Sequence, residues 1–218
     1  MAIIAYFYLL RVGEYTYSAA HKRTRPFTVA DVTFWAGTTM VPNHSPRDLL
    51  LKTVTSATMS ILNQKNGKRN QSVNHHASHT DYCPVRALIM RVSTIMANTA
   101  NPNTGISTYF PRTKYVSREL TAADVNRAIK HAVTALRLET NGLTPAQVGS
   151  HSLRAGGAMA MYLNGVPHDT IRKMGRWASD TFLMYVHEQI SAVSEGVAIK
   201  MSNPIPFHNV LQNRSSQP

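Results

Sequence analysis

Acidic residues and cysteine are scarce in this sequence. Its 218 residues include 11 Asp and Glu against 23 Lys and Arg, and the formal net charge is +12. A metal-dependent nuclease or transposase needs a cluster of carboxylates to hold its ions, and the absence of a spaced Asp/Glu set argues against that class. The single cysteine, Cys83, cannot form an internal disulfide, which is typical of a reducing compartment such as the cytoplasm or the nucleus.

Long hydrophobic runs are also missing. No segment approaches the roughly 18 consecutive apolar residues that cross a bilayer. The apolar start, residues 1–10, has no basic region and no small-residue cleavage site, and it continues into Arg11 and Glu14 with helical spacing. We interpret residues 2–18 as one largely buried helix. With 43% hydrophobic and 16% charged residues, the composition favours one compact globular domain.

The excess of positive charge favours a polyanionic partner, because each phosphate that a cation neutralises releases counterions. Residues 21–26 form a basic loop that ends at Pro26. Its Arg23 and Arg25 are candidates for contact with a phosphate backbone, although a solvated loop has the same composition. Basic ribosomal and membrane-surface proteins share this charge, so charge alone does not identify the partner.

Local signals divide the chain into a strand-rich part and a helical part. We expect strands between Val32 and Val73, with a two-residue hairpin turn at Asn66-Gly67 that Lys65 and Lys68 flank. The later signals predict helices: residues 84–92, a helix capped by Thr121 and Asp124, short helices within 144–176 that start at Thr144 and stop at Gly165 and Gly175, a helix after Ser179 that carries Tyr185, and an amphipathic stretch from Ile190 to Met201.

Three local patterns bring chemically useful side chains together. His151 and Arg154 are one helical turn apart, so both can face one phosphate. Glu14 follows Arg11 by three residues and could orient its guanidinium. Tyr185 follows the motif Gly175-Arg-Trp on a helix that a short turn joins to the preceding one. Taken singly, each pattern is also typical of a surface ion pair, a solvated helix face or a core tyrosine.

A group of possible zinc ligands lies upstream. It comprises His75, His76, His79 and Cys83 and has no second paired-ligand motif. We therefore interpret these side chains as structural, and we predict neither a metal site nor a cofactor.

The patterns together resemble the active-site signature of the tyrosine recombinase (phage integrase) family. The shared order is Arg, a hairpin Lys, His-x-x-Arg, Trp and Tyr. The local wording is also close: Leu-Leu-Arg11-Val-Gly-Glu, His151-Ser-Leu-Arg154-Ala-Gly-Gly and Gly175-Arg-Trp177 followed by Tyr185-Val-His187. Gly-Arg-Trp, with Cys83-Pro-Val-Arg-Ala-Leu upstream, resembles recombinases of eukaryotic mobile elements such as the Crypton and DIRS-like types. The resemblance runs from about residue 3 to residue 190.

The resemblance implies a fold, a reaction and a set of site residues. The fold would be mainly α with a small antiparallel β-sheet (α+β), like the catalytic core of tyrosine recombinases and type IB topoisomerases. Tyr185 would attack the scissile phosphorus and Lys65 would protonate the leaving oxygen. Arg11 and Arg154 would clamp the phosphate, His151 would support them, and Trp177 would pack against the phosphate and donate to it.

Two assignments stay open between neighbours. If Gly175 and Tyr185 anchor the alignment, the family's His/Trp position falls on Arg176, whereas the chemically apt Trp177 lies one place later. We expect Arg176 to contact DNA in either case. Lys65 precedes the predicted turn and Lys68 follows it; we prefer Lys65 as the general acid and Lys68 as a DNA contact.

The resemblance also implies a domain and its partners. Residues 1–203 would be a catalytic domain without the usual N-terminal DNA-clamping domain, and residues 204–218 a disordered tail. Double-stranded DNA would be the partner, with self-association into dimers or tetramers through the Ile190–Met201 stretch and no membrane or small-molecule substrate. The protein would lie in the nucleus of a eukaryote and otherwise in the cytoplasm. The alternatives are a non-catalytic DNA-binding remnant of a mobile element and a type IB topoisomerase.

Overall fold

The computed structural model describes residues 1–18, 25–63, 69–78, 80–111 and 116–184. These residues form an α+β fold with a small antiparallel sheet, as the sequence predicts. The α-helices are α1 (Ala2–Phe7), α2 (Val12–Tyr15), α3 (Arg47–Thr53), α4 (Pro84–Thr99), α5 (Ala122–Ala135), α6 (Ser150–Leu163) and α7 (His168–Gly175). The strands are β1 (Val32–Ala36), β2 (Thr39–Val41), β3 (Ser56–Asn63), β4 (Arg69–His76), β5 (Thr108–Tyr109) and β6 (Arg118–Glu119), and short 3-10 turns cover Val29–Asp31, Leu138–Asn141 and Asp180–Phe182.

Four of these strands form an antiparallel sheet in the order β2-β1-β3-β4. The prediction of strands between Val32 and Val73 is confirmed, except that α3 interrupts them. Pro46 is the N-cap residue of α3, and Asp48 in the first turn of α3 complements the helix dipole. In the β3–β4 pair Ser56 opposes His76, and the predicted Asn66-Gly67 turn between these strands lies outside the described residues.

The prediction of a single helix over residues 2–18 is wrong. The chain turns between α1 and α2, where Leu9 has a left-handed backbone with φ of 47°. No glycine or proline announces this break, and a left-handed residue with a side chain is disfavoured in isolation. Contacts from the C-terminal part of the chain, described below, stabilise the turn.

The later helices begin and end where local capping allows. Cys83 caps α4, since its Sγ accepts a hydrogen bond from the Arg86 N–H at 3.5 Å, and the helix runs to Thr99, beyond the predicted end. The Thr121 capping box is confirmed: its Oγ1 accepts from the Asp124 N–H at 3.2 Å. The start predicted at Thr144 is wrong, because α6 begins at Ser150.

Helices α6 and α7 end at or near the two glycines predicted as stops. Gly165, with φ of 73°, follows α6 as expected. Helix α7 ends at Gly175 as predicted, but Arg176 adopts the left-handed conformation there, with φ of 59°.

The core places α1 at the centre of the molecule. Ile4, Ala5 and Tyr8 are buried in a cluster that also contains residues of β1, β3 and α4. On its other side, α1 packs against α6 so closely that a Cβ added to Gly157 would lie 2.4 Å from the Tyr6 carbonyl oxygen. Glycine at this position therefore sets the distance between α1 and α6.

A second, smaller cluster lies at the end of the described chain. Ala158, Ile171 and Phe182 are buried in it, and Trp177 packs against them.

Within the described residues, no helix has the length and apolar character needed to span a membrane.

Candidate active site

Arg11 and Glu14 form the first element of the site. The Glu14 carboxylate accepts a hydrogen bond from the Arg11 backbone N–H at 2.8 Å and another from Arg11 Nη1 at 3.2 Å. The first bond caps α2, and the second holds the Arg11 guanidinium in place. Glu14 is 1% exposed, whereas the Arg11 side chain is 26% exposed. The prediction that Glu14 orients Arg11 is confirmed, and Arg11 presents positive charge at the surface.

Arg154, on α6, is the second element. It is buried, and its Nη1 donates to the Leu9 carbonyl while its Nη2 donates to the Gly175 carbonyl at 2.5 Å. Because these carbonyls belong to the α1–α2 turn and to the end of α7, one guanidinium joins three distant parts of the chain.

Arg176 is a third arginine at the same turn. Its Nη1 donates to the Tyr8 carbonyl at 3.1 Å, and its Nη2 donates to the Leu9 carbonyl at 3.2 Å and to Glu14 Oε2 at 2.8 Å. Its side chain is 1% exposed. Desolvation lowers the pKa of Arg176, and the charge of Glu14 opposes that effect.

The three arginines thus meet at the turn around Leu9. Arg154 and Arg176 share the Leu9 carbonyl as acceptor, and Arg11 and Arg176 share the Glu14 carboxylate. This network contains one carboxylate, which pairs with Arg11 and Arg176, and three guanidiniums, so it carries excess positive charge. Such a centre is suited to an anion with several oxygen atoms.

Trp177 lies directly over Arg154. The Arg154 Cζ is 4.2 Å from the centre of an indole ring, which is within cation–π distance. A Cβ added to Gly175 would lie 1.6 Å from the Trp177 Cζ3 atom, so the indole requires glycine beneath it. Trp177 therefore holds one face of the Arg154 guanidinium.

The other described candidates lie around this centre. His151 is exposed near the start of α6, one turn before Arg154. Arg25 is 47% exposed and donates from Nη2 to both oxygens of Asp31, at 2.7 and 2.9 Å. The predicted contacts of Arg25 and Arg176 with DNA stay predictions. For Arg176, burial means that direct contact would require a rearrangement.

Four predicted residues lie outside the described part of the chain: the nucleophile Tyr185, the alternative general acids Lys65 and Lys68, and Arg23. Their predicted roles stay predictions, as does docking by the Ile190–Met201 stretch.

A cleft of about 450 Å³ opens between β4 and α7, next to the arginine cluster. Arg176 and Trp177 contribute to its wall, together with Gln71 and Ser72 of β4 and with Arg172 and Lys173 of α7. Arg172 is 38% exposed and pairs with Asp169 at 2.7 Å. The cleft therefore joins the strand that follows the Lys65/Lys68 segment to a basic helix.

Two of the four possible zinc ligands, His75 and Cys83, have structural contacts. His75 Nε2 lies 2.8 Å from the Phe7 carbonyl oxygen, which ties β4 to α1. Cys83 caps α4, and His79 is outside the described residues. Among the described side chains, no group of three His, Cys, Asp or Glu is arranged to hold a metal ion.

Sequence reasoning did not foresee the buried role of Arg176 or the carbonyl acceptors at Tyr8 and Leu9. A main-chain acceptor has no sequence signature. The one available signal was Arg176 itself, a charged residue directly after a helix stop, where glycine or asparagine is usual.

Comparisons with known proteins show the family and the fold of the chain. The family model described as the phage integrase family matches residues 44–191, more than half of the chain. The match includes His151, Arg154, Trp177 and Tyr185, whereas Arg11 precedes it, so the place of Arg11 in the site rests on its contacts. The search of the curated proteins found no match.

Two solved structures are similar to the chain. The XerH site-specific recombinase, in a post-cleavage complex with palindromic difH substrate, is 16% identical, with a TM-score of 0.50 over 92% of this chain and 44% of that one. The Tn1549 transposon integrase, in complex with transposon right end DNA, is 11% identical, with a TM-score of 0.44 over 90% of this chain and 57% of that one. The chain thus spans less than half of XerH, and that likeness concerns the fold. With the family match and the arginine cluster, it leads to one conclusion: the chain belongs to the phage integrase family, the family of the tyrosine recombinases.

Proposed function

We propose that this protein is a site-specific DNA recombinase that cleaves and rejoins strands through a 3′-phosphotyrosine at Tyr185, without metal or ATP. The observation that carries the proposal is that Arg11, the N-cap residue of α2, and Arg154, on α6, belong to one network at the α1–α2 turn, in which Arg176 joins Glu14 to the Leu9 carbonyl. A cleft whose wall includes Arg176 and Trp177 lies next to this network.

The chemistry follows from the charge of a phosphodiester. During displacement at phosphorus, negative charge concentrates on the non-bridging oxygens, and fixed guanidiniums stabilise it more than they stabilise the ground state. Glu14 fixes Arg11, and two carbonyls fix Arg154. Both cations are therefore preorganised. Arg11 is the more exposed, so it would meet the phosphate first. Arg154 is as buried as Arg176, so its direct contact with the phosphate would also require a rearrangement; without one it contributes positive charge from a medium of lower dielectric constant.

The nucleophile would be Tyr185. Its hydroxyl oxygen bonds to phosphorus, the bond to the 5′ oxygen breaks, and Lys65 supplies a proton to that leaving oxygen. Attack by a 5′ hydroxyl on the phosphotyrosine reverses the step and reseals the strand, so the bond energy is conserved. A tyrosine that is protonated at neutral pH must lose its proton as it attacks. His151, exposed one turn before Arg154, would accept that proton, and neighbouring cations favour its loss.

Two tyrosines near the arginines in sequence are poor nucleophiles. Tyr8 is buried, and its hydroxyl donates to the Ala57 carbonyl at 2.9 Å. Burial raises the pKa of Tyr15 to about 12, which disfavours its phenolate. These observations favour a tyrosine elsewhere in the chain and agree with the choice of Tyr185.

The partner would be double-stranded DNA, which the net charge of +12 favours. Exchange between two sites needs several active sites, so we also propose self-association on DNA. The cleft between β4 and α7 would receive the backbone next to the scissile phosphate, with Arg172 and Lys173 beside it.

Covalent trapping tests the proposal. The protein is incubated, with EDTA present, with nicked duplexes carrying the ends of its element, and a denaturing gel separates free protein from a protein–DNA adduct. We expect an adduct in the wild type and none in Tyr185→Phe.

The matched control is Tyr82→Phe, since Tyr82 is 69% exposed and has no role in the proposed mechanism. Loss of the adduct in both variants would contradict the role of Tyr185. Failure of the wild type on all element ends, with duplex binding intact, would favour a non-catalytic DNA-binding remnant.

A further inference from the structure

Arg176 occupies the position where the family alignment anchored on Gly175 and Tyr185 expects a phosphate ligand, yet its guanidinium points into the protein. It is 4% exposed as a residue, and its Nη atoms donate to the Tyr8 and Leu9 carbonyls and to Glu14. We infer that Arg176 is a positioning residue that fixes the phosphate-binding arginines through Glu14 and the Leu9 carbonyl, and does not bind the phosphate itself. This inference rests on the proposed function.

The first step runs through Glu14. Its Oε2 accepts from Arg176 Nη2 at 2.8 Å and from the Arg11 backbone N–H at 2.8 Å, and its Oε1 accepts from Arg11 Nη1 at 3.2 Å. Without Arg176, the carboxylate would keep Arg11 as its remaining ion-pair partner among the described residues. A buried carboxylate with one flexible partner has more freedom than one held from two sides. Arg176 therefore restricts the position of Arg11.

The second step runs through the main chain. The Leu9 carbonyl accepts from both Arg176 Nη2 and Arg154 Nη1. Leu9 is in the left-handed region, so its peptide orientation is not one that the local sequence favours. Arg176 and Arg154 hold that peptide together, and loss of either would allow the turn to relax and move the acceptor of the other.

The local backbone supports the same interpretation. Arg176 itself is left-handed at the end of α7, a position where glycine would be less strained. A charged residue in a strained conformation and in a buried site is stabilised by specific contacts or is not found there. Here those contacts all lead to the α1–α2 turn and to Glu14, apart from a long one within its own helix end to the Met174 carbonyl at 3.4 Å.

The test compares Arg176→Met, Arg176→Lys, Glu14→Gln and Glu14→Gln/Arg176→Met, each checked for folding by thermal unfolding. The readout is the single-turnover rate of covalent adduct formation on the nicked duplex, beside the dissociation constant for that duplex. We expect Arg176→Met to lower the rate by roughly 10- to 100-fold, the scale of a small misplacement of catalytic groups, with a loss of duplex affinity no larger than that of Arg11→Met.

A double-mutant cycle separates an indirect role from a direct one. Because Arg176 acts through Glu14 as well as through the Leu9 carbonyl, the double variant should lose much less than the product of the two single losses. Arg176→Lys, which keeps the charge beside Glu14, recovers part of the rate. Effects of Glu14→Gln and Arg176→Met that multiply would show that Arg176 acts independently of Glu14 and would overturn the inference, as would a wild-type rate in Arg176→Met.

A substrate with a neutral methylphosphonate at the scissile position distinguishes positioning of the arginines from a general contribution of Arg176 to folding. Removing the phosphate charge makes the arginine clamp unnecessary, so Arg176→Met should react at nearly the same rate as the wild type on this substrate. A ratio of wild-type to variant rate that stays the same on both substrates would mean general damage to the fold and would contradict the inference. Arg47→Met, a charge loss on the exposed part of α3 outside the Glu14 network, is the matched control.

Duplex binding distinguishes failure of this inference from failure of the proposed function. If the wild type forms no adduct, the recombinase proposal fails, but the salt dependence of binding still reports on Arg11. Removing one phosphate contact lowers the slope of log K against log salt by about 0.9. We expect Arg11→Met and Arg176→Met to lower it equally and their combination to lower it no further. An unchanged slope in Arg176→Met with a lowered one in Arg11→Met would refute the coupling. If Arg176→Met does not fold, Arg176→Lys carries the same comparisons.

Discussion

Replacing Gly157 by alanine should disturb the site from a distance, because this glycine sets the spacing between α1 and α6. A Cβ there would lie 2.4 Å from the Tyr6 carbonyl oxygen and 2.6 Å from the Leu9 Cδ2 atom. The leucine methyl can rotate away, whereas the carbonyl belongs to the helix backbone and can retreat only if α1 moves. The turn at Leu9, which accepts from Arg154 and Arg176, would move with it.

The magnitude follows from two opposing effects. Overpacking of this kind costs about 1–3 kcal/mol, and replacing a helical glycine by alanine returns about 0.5–1 kcal/mol. Because the clash is with backbone, we expect a net loss of about 1–2 kcal/mol in the free energy of unfolding. For a chain of this size that lowers the melting temperature by roughly 2–8 °C. The rate of adduct formation should fall by about tenfold, as the Leu9 carbonyl shifts relative to Arg154.

The neighbouring glycine is the matched control. A Cβ on Gly156 would meet the Tyr6 Cε2 atom at 3.6 Å, an ordinary contact. Gly156→Ala should therefore raise the melting temperature by roughly 1–4 °C through helix propensity and leave the rate unchanged. Differential scanning calorimetry on the two variants decides the matter. Equal stability of both, or a more stable Gly157→Ala, would refute the close approach of α1 and α6 and the account of the Leu9 turn.

Two further changes test other contacts. Gly175→Ala must displace the Trp177 indole, since the new Cβ would lie 1.6 Å from its Cζ3 atom. We expect the fluorescence of Trp177, measured with Trp35 replaced by Phe, to change and adduct formation to be at least about tenfold slower. Unchanged emission would contradict the stacking of Trp177 on Arg154. Burial lowers the pKa of His75; the hydrogen bond to Phe7 opposes that shift, and the charge of His76 adds to it. The unfolded chain therefore binds the proton more readily than the folded one. The free energy of unfolding should fall as the pH drops below about 6.5. His75→Gln should flatten that part of the profile in urea titrations at several pH values, and an unchanged profile would assign the fall to other groups.

Much of the fold could be predicted from local pattern. The Thr121 capping box, Pro84 at the start of α4 and the strands around β3 and β4 depend on neighbours in sequence, and each is present. The pairing of Arg11 with Glu14 was also predictable, because three residues separate them on one turn of helix.

The break between α1 and α2 was not predictable from the same rules. Residues 2–18 are apolar with helical spacing, and nothing in the segment favours a left-handed Leu9. The turn depends on Arg154 and Arg176, which are far away in sequence and whose acceptors are main-chain carbonyls. Tertiary contacts outweigh local propensity here, as they often do at functional sites.

The choice between Arg176 and Trp177 shows the same limit. Sequence alignment placed the two residues one position apart and could not tell which side chain points outward. The left-handed backbone at Arg176 turns the chain so that its guanidinium enters the protein, while Trp177 covers Arg154 and lines the cleft. Backbone conformation at a helix end sets the direction of each side chain, and composition does not carry that information.

In the proposed mechanism one tyrosine, Tyr185, attacks a phosphate held by Arg11 and Arg154. The most direct test of this mechanism is to digest the covalent adduct with protease and nuclease and to identify the modified peptide by mass spectrometry. We predict a single nucleotide remnant, joined through its 3′ phosphate, on the peptide that contains Tyr185, and its loss in Arg11→Met and Arg154→Met. A remnant joined through a 5′ phosphate, or one carried by any other residue, would contradict the account.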